Sequence, residues 1–287
     1  MKNYFIVIPV YNDNKSLNKL LIKLNKYLFF LKKKITILII NDCSTESIII
    51  KNKFKNFKKI KIINLKKNVG SQKAIFICLK YLKKIKKKFN ISIIDSDGED
   101  NPKNLKKLID ISLKKNDSIV VANRSKRTES LLLRFLNKIR LVITYILTGN
   151  YINFGNFSSF SSTNLVKILG NNNLWLAYSG GIKKNVNKII YLNTNKNKRY
   201  FGKSKVNFKF LLIHSIKIIC IFKNQIFFRS IILILFLFFI TKNNLFIILS
   251  LLILFLNLII FLFYKFNDLV FDSQKLIKNI KVISSNH

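Results

Sequence analysis

The chain has 287 residues, enough for one large domain with an appendage or for two smaller domains, and its 49% hydrophobic content excludes a chain that stays unfolded. Its formal charge of +40 would suit a nucleic-acid-binding module, but only six of the 52 basic residues are Arg, and the Lys residues are spread along the whole chain. We therefore expect no nucleic-acid partner, and we interpret the Lys content as compositional drift that leaves room for attraction to anionic lipids or phosphorylated ligands.

Histidine and cysteine are too sparse to carry the chemistry. The chain has two His and three Cys, and the Cys residues lack the C-x-x-C spacing of zinc or redox sites. Neither a histidine metal cluster nor a Ser/His/Asp triad can be assembled convincingly from them. Catalysis, if there is any, must rest on carboxylates and a metal.

The first 122 residues alternate short apolar runs with longer segments of helical Lys/Leu pattern. The runs YFIVIPV, ITILII, IKIINL, ISIID and SIVVA are predicted as strands. Continuous apolar strands separated by helix-length segments predict a parallel sheet covered on both faces, which is an α/β fold. Ligands of such sheets bind beyond the carboxyl ends of the strands.

A polar cluster follows each of these five predicted strands. The clusters are residues 11–13, 41–44, 68–71, 95–100 and 123–124. A solvated loop could explain any one of them, but parallel strands bring all five to the same edge of the sheet. The pattern predicts a binding site there.

The fourth cluster, in IIDSDGEDNP, holds a third of the chain's 12 acidic residues. Asp95, Asp97, Glu99 and Asp100 lie within six positions. Like charges at this spacing repel unless something positive lies among them, so the segment is either a solvated turn or a cation site.

The second half of the chain begins with a helical pattern over 130–146, followed by the Gly, Asn and Ser rich segment NYINFGNFSSFSS. A strand is predicted at 188–192, and the turn KRYFGKSK comes after it. Residues 206–225 follow as an apolar pattern broken by Lys209, His214 and Lys217, which is typical of a helix lying at a membrane surface.

Two hydrophobic blocks, 226–240 and 245–264, predict a transmembrane helix hairpin over 226–264. The first block is short, but a snorkelling Arg229 could extend it. Buried core helices are the alternative. Basic residues on both flanks predict that both termini stay in the cytoplasm, with 265–287 as a basic tail, and no signal peptide is visible because Met1 runs directly into a strand.

The motifs resemble those of the family 2 glycosyltransferases with a GT-A fold, especially the polyprenyl-phosphate glycosyltransferases related to dolichol-phosphate mannose synthase. VIPVYND is similar to the family's opening strand and turn, INDCSTE to D-D-G-S-T-D, and NVGSQKA to N-x-G-x-x-x-A. DSDGEDNP is similar to D-A-D-L-Q-D-P-P and RYFGKSK to R-x-x-G-x-S-K. The resemblance runs from residue 4 to about residue 264, and it implies a GT-A domain over 1–205 that precedes the interfacial helix.

The resemblance implies roles for residues in each motif. Asp95 and Asp97 match the D-x-D pair and Glu99 its Gln, so these carboxylates are expected to hold Mg²⁺ or Mn²⁺ against the diphosphate of a nucleotide sugar. The catalytic set is Asp95, Asp97 and Asn156. The donor-binding set is Pro9, Tyr11, Asp42, Gly70, Lys73 and Ser96, with Asp42 accepting a hydrogen bond from the base. The phosphate clamp is Arg124, Arg199, Ser204 and Lys205. Asp100 has no such counterpart, and we expect it to cap the following helix.

The sequence departs from the family pattern at three positions. Asn41 replaces the first Asp of D-D-G-S, and Asn156 and Ser158 stand where many members have the Asp and Arg of G-D-F-R. The missing aspartate matters for a hydroxyl acceptor, which needs a base to take its proton. A phosphate acceptor is largely ionised at neutral pH and remains compatible with Asn156.

Together these features predict a multi-pass inverting hexosyltransferase of the cytoplasmic membrane, with its catalytic domain facing the cytoplasm and a place in cell-envelope glycan synthesis. Its expected partners are a nucleotide sugar and a polyprenyl phosphate, and a homo-oligomer is possible. Two alternatives stay open: transfer to a growing glycan, and a catalytically silent membrane-bound nucleotide-sugar binder.

Overall fold

The computed structural model describes residues 3–31, 34–126, 131–170, 173–202, 208–240, 244–268 and 276–284. The chain forms two compact units. The sheet unit consists of Met1–Ser130, Asn153–Lys205 and Asp272–His287. The helical unit consists of Leu131–Ile152 and Val206–Phe271.

Among the described residues, the sheet unit contains one eight-stranded sheet in the order β7-β5-β6-β4-β1-β2-β3-β8. The strands are β1 Asn3–Val10, β2 Ile35–Asn41, β3 Phe57–Leu65, β4 Phe89–Ile93, β5 Ile119–Lys126, β6 Phe154–Ser161, β7 Ile189–Asn195 and β8 Ile277–Ser284. All pairings are parallel except those that β6 makes with β4 and β5 and that β8 makes with β3. The predicted α/β fold with a mostly parallel sheet is confirmed.

Nine α-helices are present in the described part of the chain. They are α1 Asn14–Tyr27, α2 Ser71–Lys83, α3 Pro102–Lys114, α4 Leu131–Thr148, α5 Ser162–Gly170, α6 Tyr178–Asn185, α7 Phe208–Ile221, α8 Lys223–Ile240 and α9 Asn244–Asp268. In the sheet unit the helices bury one apolar stripe each: α1 buries Leu17, Leu20, Leu21 and Leu24 at helical spacing. Burying each such side chain contributes about 1.5–3 kcal/mol, and this packing fixes the sheet edge that carries the polar clusters.

Strand β6 lies in a segment whose Gly, Asn and Ser content did not predict a strand. Its serines are buried, and their hydroxyls find partners across the fold: Ser159 Oγ lies 3.0 Å from Ser92 Oγ and 2.9 Å from Ser112 Oγ. Buried hydroxyls are tolerated when they are hydrogen-bonded, so this polar strand can occupy the middle of the sheet.

Strand β8 corrects the expectation that residues 265–287 form a basic tail. Residues 277–284 pair with β3 in antiparallel fashion and belong to the sheet unit. Without them, β3 would present an edge of unpaired N–H and C=O groups. The pairing therefore explains why the chain returns to the sheet after α9.

The helical unit exposes apolar side chains. Lys223–Ile240 and Asn244–Asn267 have mean hydropathies of 1.8 and 3.2, and almost none of their residues are buried. Both are long and apolar enough to cross a membrane. Helix α4 also exposes apolar side chains: Phe135 and Ile146 are exposed, whereas the polar Asn137 and Thr144 are buried.

Arg229, predicted to snorkel at the end of the first span, contacts α4 instead. Its Nη1 donates to the Ile146 carbonyl over 2.8 Å, next to Gly149, which follows α4 with a φ of +72°. Carbonyls in the last turn of a helix lack intrahelical partners, and a guanidinium satisfies one and complements the helix dipole. Arg229 thus holds α4 to α8 inside the helical unit.

Candidate active site

The acidic segment after β4 forms a tight turn. The Glu99 N–H donates to Asp97 Oδ1 over 3.0 Å, and Gly98 between them has a φ of +84°. The side chains of Asp97 and Glu99 are only 18% and 13% exposed, and Asp100 is buried. The segment is therefore not a solvated turn.

The helix cap predicted for this turn lies one residue further along. Asn101, not Asp100, caps α3, because its side chain accepts the Lys103 N–H over 2.9 Å. Both Asn and Asp serve well at this position, so composition alone did not distinguish them. The buried Asp100 belongs to the acidic turn.

A segment after β7, residues 196–200, covers the acidic turn, and we call it the basic strap. Two backbone bonds join them: Asn197 N donates to Glu99 O, and Tyr200 N donates to Asp97 O, each over 2.8 Å. Lys196 Nζ lies 2.8 Å from Glu99 Oε2, and its side chain is 3% exposed. The strap therefore places a buried positive charge against the turn.

The ring of Tyr200 lies directly over Gly98. A Cβ at position 98 would come within 2.5 Å of the ring atoms, and the positive φ would strain any other residue. Glycine is thus required here both by the turn and by the strap.

Arg199 is the central cation of the site. Its Nη1 lies 3.2 Å from Asp97 Oδ2 and its Nη2 lies 2.8 Å from Asp13 Oδ2. Burial raises the pKa of Asp97 to about 6, with the neighbouring Glu99 adding to the rise while the Glu99 N–H and Arg199 oppose it. Because desolvation and like charge raise this pKa even beside Arg199, additional positive charge would favour the ionised carboxylate.

Asp95 belongs to a second group of contacts. Asn156, which lies opposite the end of β4, donates from Nδ2 to Asp95 Oδ1 over 3.2 Å. Gln72 Nε2 donates to Asn156 Oδ1 over 3.0 Å, and Gln72 Oε1 accepts the Tyr178 N–H over 2.7 Å. The structure therefore brings the predicted catalytic residues Asp95 and Asn156 together.

Asp42 holds the turn between β3 and α2. Its two carboxylate oxygens accept the N–H groups of Val69 and Gly70, each over 2.8 Å. Burial raises the pKa of Asp42, and these two N–H groups oppose the rise. Asp42 thus joins the second and third polar clusters, with Gly70 at a φ of +85° where the chain enters α2.

Asn41, the first departure from the family pattern, has a structural partner on each side of its amide. Its Nδ2 donates to Asn64 Oδ1 and its Oδ1 accepts the Ser44 N–H, each over 2.9 Å. A carboxylate could not donate the first of these bonds. The amide of Asn41 is therefore needed for its hydrogen bond to Asn64 on β3.

The remaining predicted residues are placed as follows. Pro9 and Ser96 are buried, Tyr11 is 39% exposed, and Lys73 Nζ lies 5.3 Å from the centre of the Trp175 ring. The backbone of Arg124 lies in β5. Ser204 and Lys205 lie outside the described residues.

A cavity of about 490 Å³ opens beside Arg199. It lies within the sheet unit, and its lining includes Asn12, Asp13, Ser44, Thr45, Arg199 and Phe201. Of the predicted site residues that the structure describes, Arg199 alone lines it. The cavity therefore meets the acidic turn at Arg199, which pairs both with Asp13 in the cavity lining and with Asp97 in the turn.

The three carboxylates predicted as a metal site do not assemble as a set. Among the described residues, no group of three or more His, Cys, Asp or Glu side chains is placed to hold a metal ion. Glu99 pairs with Lys196, so Asp95 and Asp97 remain as the other two carboxylates of the predicted set. Hard oxygen donors of this kind fit Mg²⁺ or Mn²⁺ if the ligand's phosphate oxygens and water complete the shell, as is usual for Mg²⁺.

Sequence reasoning missed three residues of this site. Gln72 lies inside the motif NVGSQKA and Lys196 is one lysine among many, so neither stands out by composition. Tyr200 lies inside RYFGKSK, but its contact with Gly98 depends on a pairing across about a hundred positions. These residues become visible only when the strap and the turn are seen together.

The family described as Glycosyl transferase family 2 matches residues 5–168 of the chain. An uncharacterised glycosyltransferase of Synechocystis sp. is 29% identical over 137 residues, which are 47% of this chain and 42% of the relative. The match thus spans less than half of that relative's length.

Two solved structures share the fold. Glucosyl-3-phosphoglycerate synthase from Mycobacterium tuberculosis, in complex with Mn²⁺, uridine-diphosphate-glucose and phosphoglyceric acid, superposes with a TM-score of 0.53 at 13% identity over 78% of this chain and 80% of that one. A mycobacterial protein gives a TM-score of 0.54 at 10% identity over 78% and 74%. At such identities the likeness concerns the architecture of the chain.

Proposed function

The chain belongs to glycosyltransferase family 2, and from that premise we propose that it moves a sugar from a nucleoside-diphosphate donor to a polyprenyl-phosphate lipid, with inversion and with a divalent metal. The coarse activity, transfer of a sugar from a nucleotide sugar, follows from the family. The metal, the acceptor and the membrane setting are the content of the proposal.

The observation that carries the proposal is the pairing of Asp97 with Arg199. The turn places carboxylates and a guanidinium side by side in a largely buried site, and both types of group are used to bind a metal-bound diphosphate. A donor diphosphate could bind to Arg199 while a cation binds to the carboxylates. The Mn²⁺ and uridine-diphosphate-glucose bound by the mycobacterial synthase of the same fold are consistent with this assignment.

Asp95 and Asp97 are the residues that would hold Mg²⁺ or Mn²⁺. The chemistry that the bound cation supplies is neutralisation of charge on the departing nucleoside diphosphate. Arg199 adds to it, because a guanidinium carries five N–H donors and the bonds of Arg199 to Asp13, Asp97 and the Phe201 carbonyl use three of them. Its remaining donors can bind phosphate oxygens.

Asn156 determines which acceptor suits the site. Its amide donates to Asp95 and accepts from Gln72, so it cannot take a proton from an attacking hydroxyl. A phosphate monoester needs no such base, because its second pKa near 6 leaves it largely ionised at neutral pH. The acceptor class that this site supports best is therefore a lipid phosphate.

Three features support membrane attachment. Helices α8 and α9 are long, apolar and exposed, and α4 adds a further apolar face. The chain enters α8 after the strands of the sheet and returns to the same sheet as β8 after α9. If the pair crosses a bilayer as a hairpin, both of its flanks lie on one side, and we assign that side to the cytoplasm by the positive-inside rule.

A protease-protection measurement tests this topology. Tags at Met1 and His287 should both be protected in sealed, right-side-out vesicles and both be cleaved in inverted ones. One protected and one exposed tag would require an odd number of spans, which contradicts the return of β8 to the sheet.

A catalytically silent nucleotide-sugar binder is the second candidate. It is favoured by one observation, the amide at position 156 where many family members carry an aspartate. Transfer to a growing glycan is less well supported, since a hydroxyl acceptor lacks a base at this position.

The decisive experiment incubates the purified full chain with labelled nucleotide sugars, polyprenyl phosphate and Mn²⁺ and looks for a glycolipid. We expect one donor to give product with the lipid phosphate and none with the matching polyprenol, because the alcohol is not ionised. Donor binding without product for any donor would favour the silent binder.

A further inference from the structure

The hydrogen bonds that end on Asp95 form a chain of fixed polarity. It begins at the Tyr178 N–H at the start of α6, passes through the amides of Gln72 and Asn156, and ends on Asp95 Oδ1. A backbone N–H can only donate and a carboxylate can only accept, so the donor-to-acceptor direction is fixed at both ends of this series of hydrogen bonds. Amides suit the two positions between them, because each presents one acceptor and one donor group.

We infer that Gln72 is a positioning residue for the cation site, an inference that rests on the proposed function. Because Gln72 Oε1 must face the Tyr178 N–H, its Nε2 faces Asn156. Asn156 Oδ1 must then face Gln72, and its Nδ2 faces Asp95. Gln72 therefore selects the orientation in which Asn156 stabilises the charged form of Asp95 and fixes its rotamer.

This series of hydrogen bonds gives Asn156 a role that differs from that of the aspartate it replaces. An aspartate here could not donate to Asp95, and two carboxylates at such a distance would repel each other. The amide instead orients Asp95 as metal-ligating carboxylates are commonly oriented, through a hydrogen bond from a neighbour. Gln72 and Asn156 then act together to orient the Asp95 carboxylate.

A purely structural role for Gln72 makes a different prediction. Ala177, the residue before α6, provides no side-chain cap, so Gln72 Oε1 also satisfies an N–H at the helix start. If capping α6 were its whole role, Gln72→Glu would preserve it, because a carboxylate accepts the same bond and complements the helix dipole. The same substitution removes the donor that Asn156 requires.

The test compares Gln72→Glu with the wild-type full chain in detergent, measuring Mn²⁺ binding in the presence of UDP by the electron paramagnetic resonance of free Mn²⁺. We expect the dissociation constant to rise about 10- to 100-fold, the range for loss of a partner that orients a metal ligand. The thermal unfolding midpoint should stay unchanged or rise. The negative charge added by this substitution would by itself tighten Mn²⁺ binding. Weaker binding therefore cannot be explained by the change in charge.

Two further variants separate the possible failures. Gln225→Glu makes the same change in the helical unit and should leave Mn²⁺ binding unchanged. Asp95→Asn tests the cation site itself: if it binds Mn²⁺ normally, that site is wrong and the role of Gln72 falls with it. If Asp95→Asn loses Mn²⁺ but Gln72→Glu binds it as well as the wild type or better, the inference about Gln72 alone is overturned.

Discussion

The sheet unit and the helical unit distribute polar and apolar side chains in opposite ways. In the sheet unit, α1 buries four leucines, whereas in the helical unit α8 and α9 leave almost all of their apolar residues exposed, and α4 buries Asn137 and Thr144 while it exposes Phe135. Both patterns follow if the surrounding medium is water for one unit and lipid for the other. One rule, that apolar side chains face apolar surroundings and polar ones face polar surroundings, therefore explains both units if each has its own solvent.

Charge distinguishes the units as well. The helical unit contains nine Lys and Arg residues and one acidic residue, Asp268, so the carboxylates of the chain are concentrated in the sheet unit. There they are gathered and paired, as in the acidic turn. This division agrees with the proposal that the sheet unit holds a cation and phosphates and that the helical unit lies against an anionic, apolar phase.

The largest expected effect is the loss of Asp97. Asp97→Asn removes the carboxylate next to Arg199, so we expect kcat to fall at least about 10³-fold, the upper end for a single charge-stabilising group. Asp117→Asn is the matched control, because Asp117 pairs with Lys188 at the surface, where both side chains are more than half exposed. Initial rates at saturating donor check both variants, and normal turnover of Asp97→Asn in chelator-treated buffer would show that the sheet unit has no cation site at this turn.

Arg199 provides the second test of the sheet unit. Arg199→Ala should lose about 2–4 kcal/mol of transition-state stabilisation in kcat/KM, the range for one preorganised donor. The control neutralises Lys83 and Lys86, which are exposed at the end of α2 and just beyond it, and should change the rate little. If the control loses activity and Arg199→Ala does not, catalysis depends on diffuse positive potential instead of the strap.

A lysine scan at two matched positions tests the comparison directly. Leu256 at the middle of α9 is 51% exposed and Ile22 on α1 is 50% exposed, so by exposure alone the two lysine substitutions should be equivalent. If α9 faces lipid, Leu256→Lys should cost about 2.5–3.5 kcal/mol of membrane insertion, the range for a lysine at the centre of a span. Ile22→Lys should change stability by less than about 0.5 kcal/mol. Membrane fractionation measures the first and thermal unfolding the second; equal tolerance of both would mean that α9 lies in water.

The parallel part of the sheet could be predicted because its strands carry their own signal. All seven residues of β2 are buried, and a continuous apolar run is what such a strand requires. Strand β6 carries no such signal, since its stability depends on hydroxyl partners at Ser92 and Ser112 that are distant in sequence. Strand β8 lies beyond the apolar helices, so only its pairing with β3 identifies it.

The residue types of the candidate site could be predicted from the sequence, but the ion pairs between them could not. The acidic turn stands out in a basic chain, and Arg199 stands out because arginine is rare. Their pairing, across 102 positions, could not be predicted from spacing. The pairing of Glu99 with Lys196 instead of a metal set has the same cause, because any of the chain's lysines could have been the partner.

The smallest expected effect concerns a polar contact inside the helical unit. Asn257 on α9 donates to Ser230 Oγ on α8 over 2.8 Å, and also to the Ile253 carbonyl of its own helix. Hydrogen bonds between membrane helices contribute only about 0.6 kcal/mol on average, because the separated helices also find partners. A double-mutant cycle with Asn257→Ala and Ser230→Ala, followed by unfolding in bicelles, should therefore give a coupling energy of about 0.6 kcal/mol. In the sheet unit, Ser159→Ala would leave two buried hydroxyls without that partner and should cost about 1–3 kcal/mol. A coupling at Asn257 as large as the Ser159 effect would mean that the two units share one kind of interior, and the proposed difference in their solvents would lose its main support.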